Sequence, residues 1–515
     1  MNFSKSDLST LTLALTFFLG ILMILLGINR GFDTSDEGLY SLLLNPHQAN
    51  SAGIYNYDLF FKVLYSLFGI EFGIVGSRVI RLISYLIGGF ALALFWKNIH
   101  ADKKIDLNVW LVSVLGVFSG YAFLPPSLSY NSISVVIVCL WLYLITKETP
   151  SFWVNIGIGF LLALLFYVKI TTCGLLGLLT VLIISYRRSL SPIVIISLLF
   201  PFLFLESLFY LTLHEAGIFR VLEGYQMMIN REDYQWVLLV KHNLVGVFWI
   251  LVASIPFFIT ARAGNKFRWY LLVLSIIFEL WVIQKTMITN EWSHGILIVT
   301  FSIIAFLIGS KKDWNWKPSK TLFFIILMIL PFVLHFGSNV YFLRLGIHYW
   351  VFGVLGIFFL IEKKPTSQKI KFVYSFSILS LILIANGIWL GPFEQLHLLN
   401  NTVEWEYRKG KKILLSQEMV AVLEDMKEKI RAVPNEEIIS VYRNPGWMVL
   451  LDLTSPKNPG IWDQDQLNTY FPYFPEGFDY IIYFPYQELP GDAMSQFQVQ
   501  KYSLPQGEVN LLWRR

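Results

Sequence analysis

The sequence predicts a mainly α, polytopic membrane protein that carries a small α/β domain at its C-terminal end. Three observations predict it. Of 515 residues, 55% are hydrophobic, 17% aromatic and only 15% charged, where soluble domains carry about 25% charged residues; mean hydropathy is +0.58. The apolar residues fall in blocks of about 20, the helix length that crosses a hydrocarbon core. The blocks end near Gly391, and the chain from there to Arg515 is soluble in composition.

Candidate spans lie at 8–28, 73–96, 108–124, 131–146, 153–168, 172–186 and 192–212, then at 243–261, 268–288, 294–309, 320–336, 347–361 and 371–391. That makes about thirteen transmembrane helices. The basic residues test the count. Lys97, Lys103 and Lys104, then Lys147, Arg187 and Arg188, Arg262, Lys266 and Arg268, Lys311 and Lys312, and Lys363 and Lys364 sit in alternate links. With thirteen spans and a cytoplasmic N-terminus all of these links are cytoplasmic, as the positive-inside rule requires. This placement accounts for the net charge of +5, so the charge does not point to nucleic acid.

The stretch "YNYDLFFKVLYSLFG" (55–69) is apolar but short, and Asp58 and Lys62 interrupt it. Counting it as a span would move every basic link outside, so it is expected to lie along the outer membrane surface. The loop 29–72 is then external. No small-residue cleavage site follows the first span, which reads as a retained anchor. Cys139 and Cys173 fall in or beside apolar runs, which predicts neither a disulfide framework nor a thiolate metal site.

The chain divides into a membrane part, 1–391, and an external α/β domain, 392–515. Within the latter, 415–431 reads as an amphipathic helix, and "EEIISVYRN", "FDYIIYFP" and "FQVQKYSL" read as strands. "RNPGW" (443–447) and "YFPYFPEGFDY" (470–480) offer flat rings to sugars, although turn chemistry and core packing explain them more simply.

The polar residues with chemistry begin at "NRGFDTSDEGLYSLLL" (29–44), which crowds Asp33, Asp36 and Glu37 beside Tyr40 where the chain leaves the first span. Thr34 with Glu37, and Asp33 with Asp36, have capping-box spacing, and a helix start favours negative charge. Capping explains one or two acids but not three. On a helix Asp33, Glu37 and Tyr40 share a face, and Asp36 is within reach of Tyr40. A carboxylate at the mouth of a membrane cavity can take a proton from a hydroxyl or amine nucleophile.

Arg78 and Arg81 in "GSRVIRLISY", Lys169 in "YVKITTCG" and Arg344 in "NVYFLRLG" fall at the outer membrane level in this topology. Singly, each reads as a snorkelling side chain. Four on the side expected to be poor in positive charge point to a bound phosphate or pyrophosphate, with a lipid tail left among the spans. Tyr130 and Asn131 in "PPSLSYN" supply hydrogen-bonding groups, and His294 in "NEWSHGIL" reads first as an interfacial hydrogen-bonding residue. The 213–242 stretch, with Arg231, Glu232 and Asp233, reads as a lid or a solvated connector. No metal-ligand spacing and no glycine-rich phosphate loop is present.

The order of a first span, an external D-E-x-x-Y (Asp36, Glu37, Tyr40) and a surface-lying helix resembles the GT-C glycosyltransferase superfamily. Within it the sequence looks most like the protein O-mannosyltransferase and aminoarabinose-transferase branch. Lys169 resembles a basic loop position of those enzymes, and "PPSLSYN" an external loop of bacterial members. The resemblance implies a multi-pass enzyme of the cytoplasmic (inner) membrane. It would move a hexose or pentose from a polyprenyl-phosphate carrier to a lipid, glycan or protein acceptor of the envelope, with inversion. It also implies Asp36 as general base, Glu37 orienting the acceptor or a helper cation, and Arg78, Arg81, Lys169 and Arg344 on the donor phosphate. Some relatives place a second acid in the next external loop, where "LPPSLSYN" has none. No cofactor is expected, and the sequence does not support a divalent cation. Two alternatives stay open. A lipid-linked sugar flippase or transporter would need ionisable residues deep in the spans, where only Glu206 and Glu279 lie. A polysaccharide polymerase or ligase would lean on a large external loop with arginines and a histidine.

Overall fold

The computed structural model describes residues 5–51, 55–148, 151–187, 190–229, 234–288, 291–311, 316–430, 437–490 and 493–514. Arg188, Arg231, Glu232, Asp233 and Lys312 lie outside the described residues. The architecture is a helical membrane bundle followed by a sheet-bearing C-terminal part. Among the described residues nine helices are at least 18 residues long and apolar enough to cross a membrane, from Asp7–Gly27 to Thr366–Leu390. Four shorter apolar helices, Leu107–Ala122, Tyr130–Ile145, Phe152–Val168 and Ser293–Gly309, complete a set that matches the thirteen expected spans one for one.

The outer helices show why the chain needs lipid. On Pro192–Leu213 the side chains of Leu199, Phe200, Leu203, Phe204 and Leu211 are all more than half exposed. An apolar surface of that extent on a helix that is hydrophobic all round belongs to hydrocarbon. Within the bundle, close approach relies on small residues: a Cβ on Gly159 would meet the backbone of Leu198.

Two elements between spans differ from transmembrane helices. Asp58–Phe68 is a short helix ended by Gly69 in the left-handed conformation (φ 65°). Its Asp58 is buried and accepts two hydrogen bonds of 2.8 Å from Arg220 Nη2. Arg220 belongs to a second short helix, Gly217–Ile229. The 213–242 stretch, expected as a lid or connector, therefore holds a helix, and Trp236–Arg262 begins inside it. The sequence placed that span's start at 243 because Lys241 and His242 break the apolar run; the backbone continues as helix through them.

Among the described residues six strands follow the bundle: β1 Val403–Arg408, β2 Lys411–Leu415, β3 Ile438–Val441, β4 Tyr480–Tyr483, β5 Phe497–Leu504 and β6 Gly507–Arg514. β1 and β2 form an antiparallel hairpin. The other four form a sheet of order β3-β4-β6-β5, parallel only between β3 and β4. The expected amphipathic helix is Gln417–Lys429, and it buries Met419, Val420, Leu423 and Met426.

Two contacts tie the sheet part to the exit of the first span. Gly31 N–H donates to Leu414 O and Leu414 N–H to Asn29 O, each at 2.8 Å, so the chain leaving the membrane runs along β2 as a short extra strand. The helix Asp36–Leu43 then docks on the helix Gly446–Leu450 through two glycines. A Cβ on Gly38 would collide with the backbone of Gly446, whose N–H donates to Thr34 O at 2.7 Å. The acidic segment is thereby clamped between bundle and sheet.

Candidate active site

The three clustered carboxylates have three different environments. Asp33 Oδ1 accepts from the Ser35 N–H and hydroxyl, both at 2.9 Å, and Oδ2 from the Glu37 N–H at 3.0 Å. Glu37 Oε2 in turn accepts from the Asp33 N–H at 3.2 Å. The acids thus close the helix start reciprocally, at a spacing of four rather than the three of a capping box. Thr34, expected as a cap, donates its hydroxyl to Asn444 Oδ1 at 2.8 Å.

Glu37 is fully buried and receives Arg78 on both oxygens, Nε to Oε1 and Nη2 to Oε2, each at 2.8 Å. The Ser127 hydroxyl also donates to Oε1. The remaining Arg78 donors reach the carbonyls of Ile28, Arg30 and Gly31 at 2.7–3.0 Å. All five guanidinium N–H groups are occupied, which a buried cation requires.

Asp36 differs from both. It is half-buried, and its carboxylate makes no hydrogen bond or ion pair with the described residues. It lines a cavity of about 440 Å³ together with Tyr40, Tyr55, Tyr130, Arg344, Glu394, Arg443 and Tyr486. Burial is the main reason its pKa rises from 3.8 to about 7; Glu394 adds to the rise, and Arg344 and Arg443 oppose it. Asp33 is also pushed up, first by burial, then by Asp36 and Glu394, against the pull of its two N–H donors. A carboxylate that titrates near neutral pH inside a cavity is poised for proton transfer.

The cations sort in the same way. Arg344 lines the cavity, its guanidinium 5.4 Å from the centre of the Phe123 ring, and makes no hydrogen bond or ion pair with the described residues. Arg443 lies 3.5 Å over the ring centre of Tyr486, and its guanidinium likewise has no described hydrogen bond or ion pair. Arg81 is fully buried and binds the carbonyls of Pro125, Ser127 and Gly120 and the Tyr85 hydroxyl. Lys169 donates to Leu334 O at 2.6 Å and so caps the end of the helix Pro318–His335. Its Nζ is 5.7 Å from the centre of the Tyr130 ring.

Of the residues singled out in the sequence, Asp36, Tyr40, Tyr130 and Arg344 therefore meet in one cavity, although their sequence positions span the bundle. Tyr130 stacks on Tyr55 at 4.4 Å and meets Tyr40 edge-on at 6.3 Å, which builds an aromatic wall. Asp33 lines a neighbouring cavity. Glu37, Arg78, Arg81, Lys169, Asn131 and His294 line neither. His294 sets its two ring nitrogens 2.7 and 3.0 Å from the carbonyls of Glu291 and Ile283, joining two helices.

Sequence reading passed over Glu394 and Arg443 as site residues. The only signal was the stretch "RNPGW", read as a flat surface for sugar rings or as ordinary turn chemistry. Backbone geometry identifies both. Seven described non-glycine residues have positive φ, and three of them, Leu124 (73°), Glu394 (48°) and Arg443 (58°), line this one cavity. Each such conformation costs about 1–3 kcal/mol and persists where the surroundings hold it, as functional sites do.

No family model matches the sequence, and no curated protein matches it either. Among solved structures, the chain is similar to the crystal structure of ArnT from Cupriavidus metallidurans bound to undecaprenyl phosphate, with 10% identity, 97% of each chain covered and a TM-score of 0.44.

Proposed function

We propose that this multi-pass membrane protein is a glycosyltransferase of the GT-C type, which moves a sugar from a polyprenyl-phosphate carrier to an envelope acceptor on the face of the membrane that carries the sheet. The N-terminus is then cytoplasmic and the sheet external. The observation that carries the reading is the meeting, in one cavity at that end of the spans, of the Asp36 carboxylate with the guanidiniums of Arg344 and Arg443, none of which has a hydrogen bond or ion pair among the described residues.

The chemistry follows from their charges. The acceptor hydroxyl gives its proton to Asp36 as its oxygen forms a bond to the anomeric carbon. The bond from that carbon to the carrier phosphate breaks on the opposite side, and its electron pair leaves with the phosphate. A single in-line displacement inverts the anomeric centre. Arg344 and Arg443 offset the charge that develops on the phosphate oxygens, so the barrier falls through position and preorganised charge. Polyprenyl phosphate then departs, and Asp36 returns its proton to water. Arg78, Arg81 and Lys169 support the cavity from outside: Arg78 is held by Glu37 and backbone carbonyls, Arg81 by carbonyls and the Tyr85 hydroxyl, and Lys169 by the carbonyl of Leu334. Glu37 anchors Arg78 and does not meet the acceptor.

The test is sugar transfer from a panel of synthetic polyprenyl-phosphate sugars, with purified protein in lipid and extracted envelope glycolipid and glycan as acceptors. Wild type is compared with Asp36→Asn and Arg344→Ala. The expected result is transfer of one sugar by wild type, loss of transfer with retained donor binding in Asp36→Asn, and weakened donor binding in Arg344→Ala. Normal transfer by Asp36→Asn would overturn the base assignment. Failure of wild type to bind any donor would overturn the reading as a whole.

A further inference from the structure

A second cavity, of about 520 Å³, lies against the first on the side of the sheet. Ser35, Glu394, Arg443 and Tyr486 line both cavities, so these four residues form the partition between them. The second chamber is built mostly from the C-terminal part, with Asp33, Thr34 and Ser35 completing it, and its chemistry is unlike the first. The rings of Trp447, Phe484 and Tyr486 and the amides of Gln395, Asn444 and Gln506 line it together. Planar amides beside flat rings match a sugar, which presents hydroxyls at its edge and C–H groups on its face.

Trp447 is a fixed wall of the chamber: it is only 2% exposed, and its indole N–H, closed off from the chamber, has no hydrogen-bond partner among the described residues. Charge narrows the class. Three carboxylates, Asp33, Glu394 and Glu508, line the chamber beside one guanidinium, Arg443; burial pushes the Asp33 carboxyl up, and Lys501 lies 3.8 Å from Glu508. A lining with no cluster of cations offers little to a phosphorylated or sulfated chain and suits a neutral or amino sugar.

We propose that this chamber binds the acceptor, a neutral or amino-substituted glycan, and presents one of its hydroxyls past Ser35 and Arg443 to Asp36. The presentation to Asp36 rests on the transferase reading above; the binding of glycan does not. The experiment titrates full-length protein in lipid nanodiscs with three tetrasaccharides: a neutral β-1,4-glucan, its fully deacetylated amino-sugar counterpart (chitosan) and a sulfated glycosaminoglycan fragment. Gln506→Ala and Trp447→Phe are tested beside wild type, with thermal unfolding as the control for folding.

The expected result is binding of the neutral or amino chain, with Kd raised about fivefold or more by Gln506→Ala, the loss of roughly one hydrogen bond. The sulfated chain binds weakest. Strongest binding by the sulfated chain, no binding of any chain, or an unchanged Kd in both variants overturns the proposal. Asp36→Asn separates it from the transferase reading. If glycan binds through Gln506 while Asp36→Asn still transfers normally, the chamber stands and the base assignment falls. If Asp36→Asn loses transfer while no glycan binds, the chamber falls and the base assignment stands.

Discussion

Arg78 grips Glu37 through two parallel 2.8 Å contacts, and neither side chain reaches water. The pair joins the start of the second span to the acidic helix, while the other Arg78 donors fasten the chain leaving the first span. A conserved charge is not enough to keep this arrangement. Lys has three donors on a flexible stem, where Arg supplies five in a fixed fork. Arg78→Lys is expected to lower the unfolding midpoint in detergent, and Arg78→Ala to cost about 3–5 kcal/mol, the usual penalty for stranding a buried partner. Donor-lipid binding per folded molecule should stay near wild type for Arg78→Lys. A stable Arg78→Lys protein that no longer binds donor would show instead that Arg78 meets the phosphate.

Asp36 sets the pH dependence. Its carboxyl titrates at about 7, and only the ionised form accepts a proton. We expect log kcat/KM to rise with a slope near one as pH increases, and to level off above about pH 7, since this quantity reports the free enzyme. Arg344 holds the value down, so Arg344→Ala should displace the rising limb to higher pH. Stability runs the other way. The folded pKa of this acid lies above its unfolded value of 3.8, so the folded state binds more protons between the two values and loses stability as pH rises from about 4 to 7. Asp36→Asn removes that charge, and should unfold at a higher temperature than wild type at pH 8 and at nearly the same temperature at pH 4. A flat pH–rate profile from pH 5 to 9, with donor binding intact, would sink the assignment.

The site also depends on two glycines. Gly38 and Gly446 bring the acidic helix and the Gly446–Leu450 helix into backbone contact, and neither has room for a methyl group. Gly38→Ala must push the sheet part away from the bundle or strain both helices, at about 1–3 kcal/mol. Because that movement widens the partition between the two chambers, acceptor KM should rise more than donor KM. Equal stability and unchanged kinetics in Gly38→Ala would mean that the two parts are not coupled through this contact.

The fold was legible wherever a periodic apolar pattern was strong. Thirteen apolar helices, the separate helix at Asp58–Phe68, the helix Gln417–Lys429 and strands β3, β4 and β5 all follow from local patterns. The β1–β2 hairpin escaped because its inward residues, Trp405, Tyr407, Ile413 and Leu415, are diluted by six charged neighbours in "EWEYRKGKKILL". β6, "GEVNLLWR", has an apolar run without alternation. At the site, three acids beside a tyrosine were visible in one line of sequence. Which of them faces the cavity was not, because Arg78 and Ser127 claim Glu37 from 41 and 90 residues away. Arg443 reaches Asp36 through the docking of the C-terminal part, and Glu394 because the last span packs on the first; both are tertiary events with no local signature.

Arg443 offers the sharpest separation of function from stability. It holds a left-handed backbone, φ 58°, that costs a side-chain-bearing residue about 1–2 kcal/mol. Its guanidinium meanwhile covers Tyr486 and faces both chambers. Glycine adopts this conformation without strain, so Arg443→Gly removes the charge and the strain together, while Arg443→Ala removes the charge alone. We expect both variants to lose about ten- to a hundredfold in transfer, the value of a charge-assisted contact to phosphate. Arg443→Gly should also unfold at a higher temperature than Arg443→Ala by roughly 1 kcal/mol of stability. Equal loss of transfer with unequal stability means that the strained backbone is retained for the guanidinium it aims. If Arg443→Gly is instead the less stable of the two, the strain is absent, and the stack on Tyr486 serves the fold.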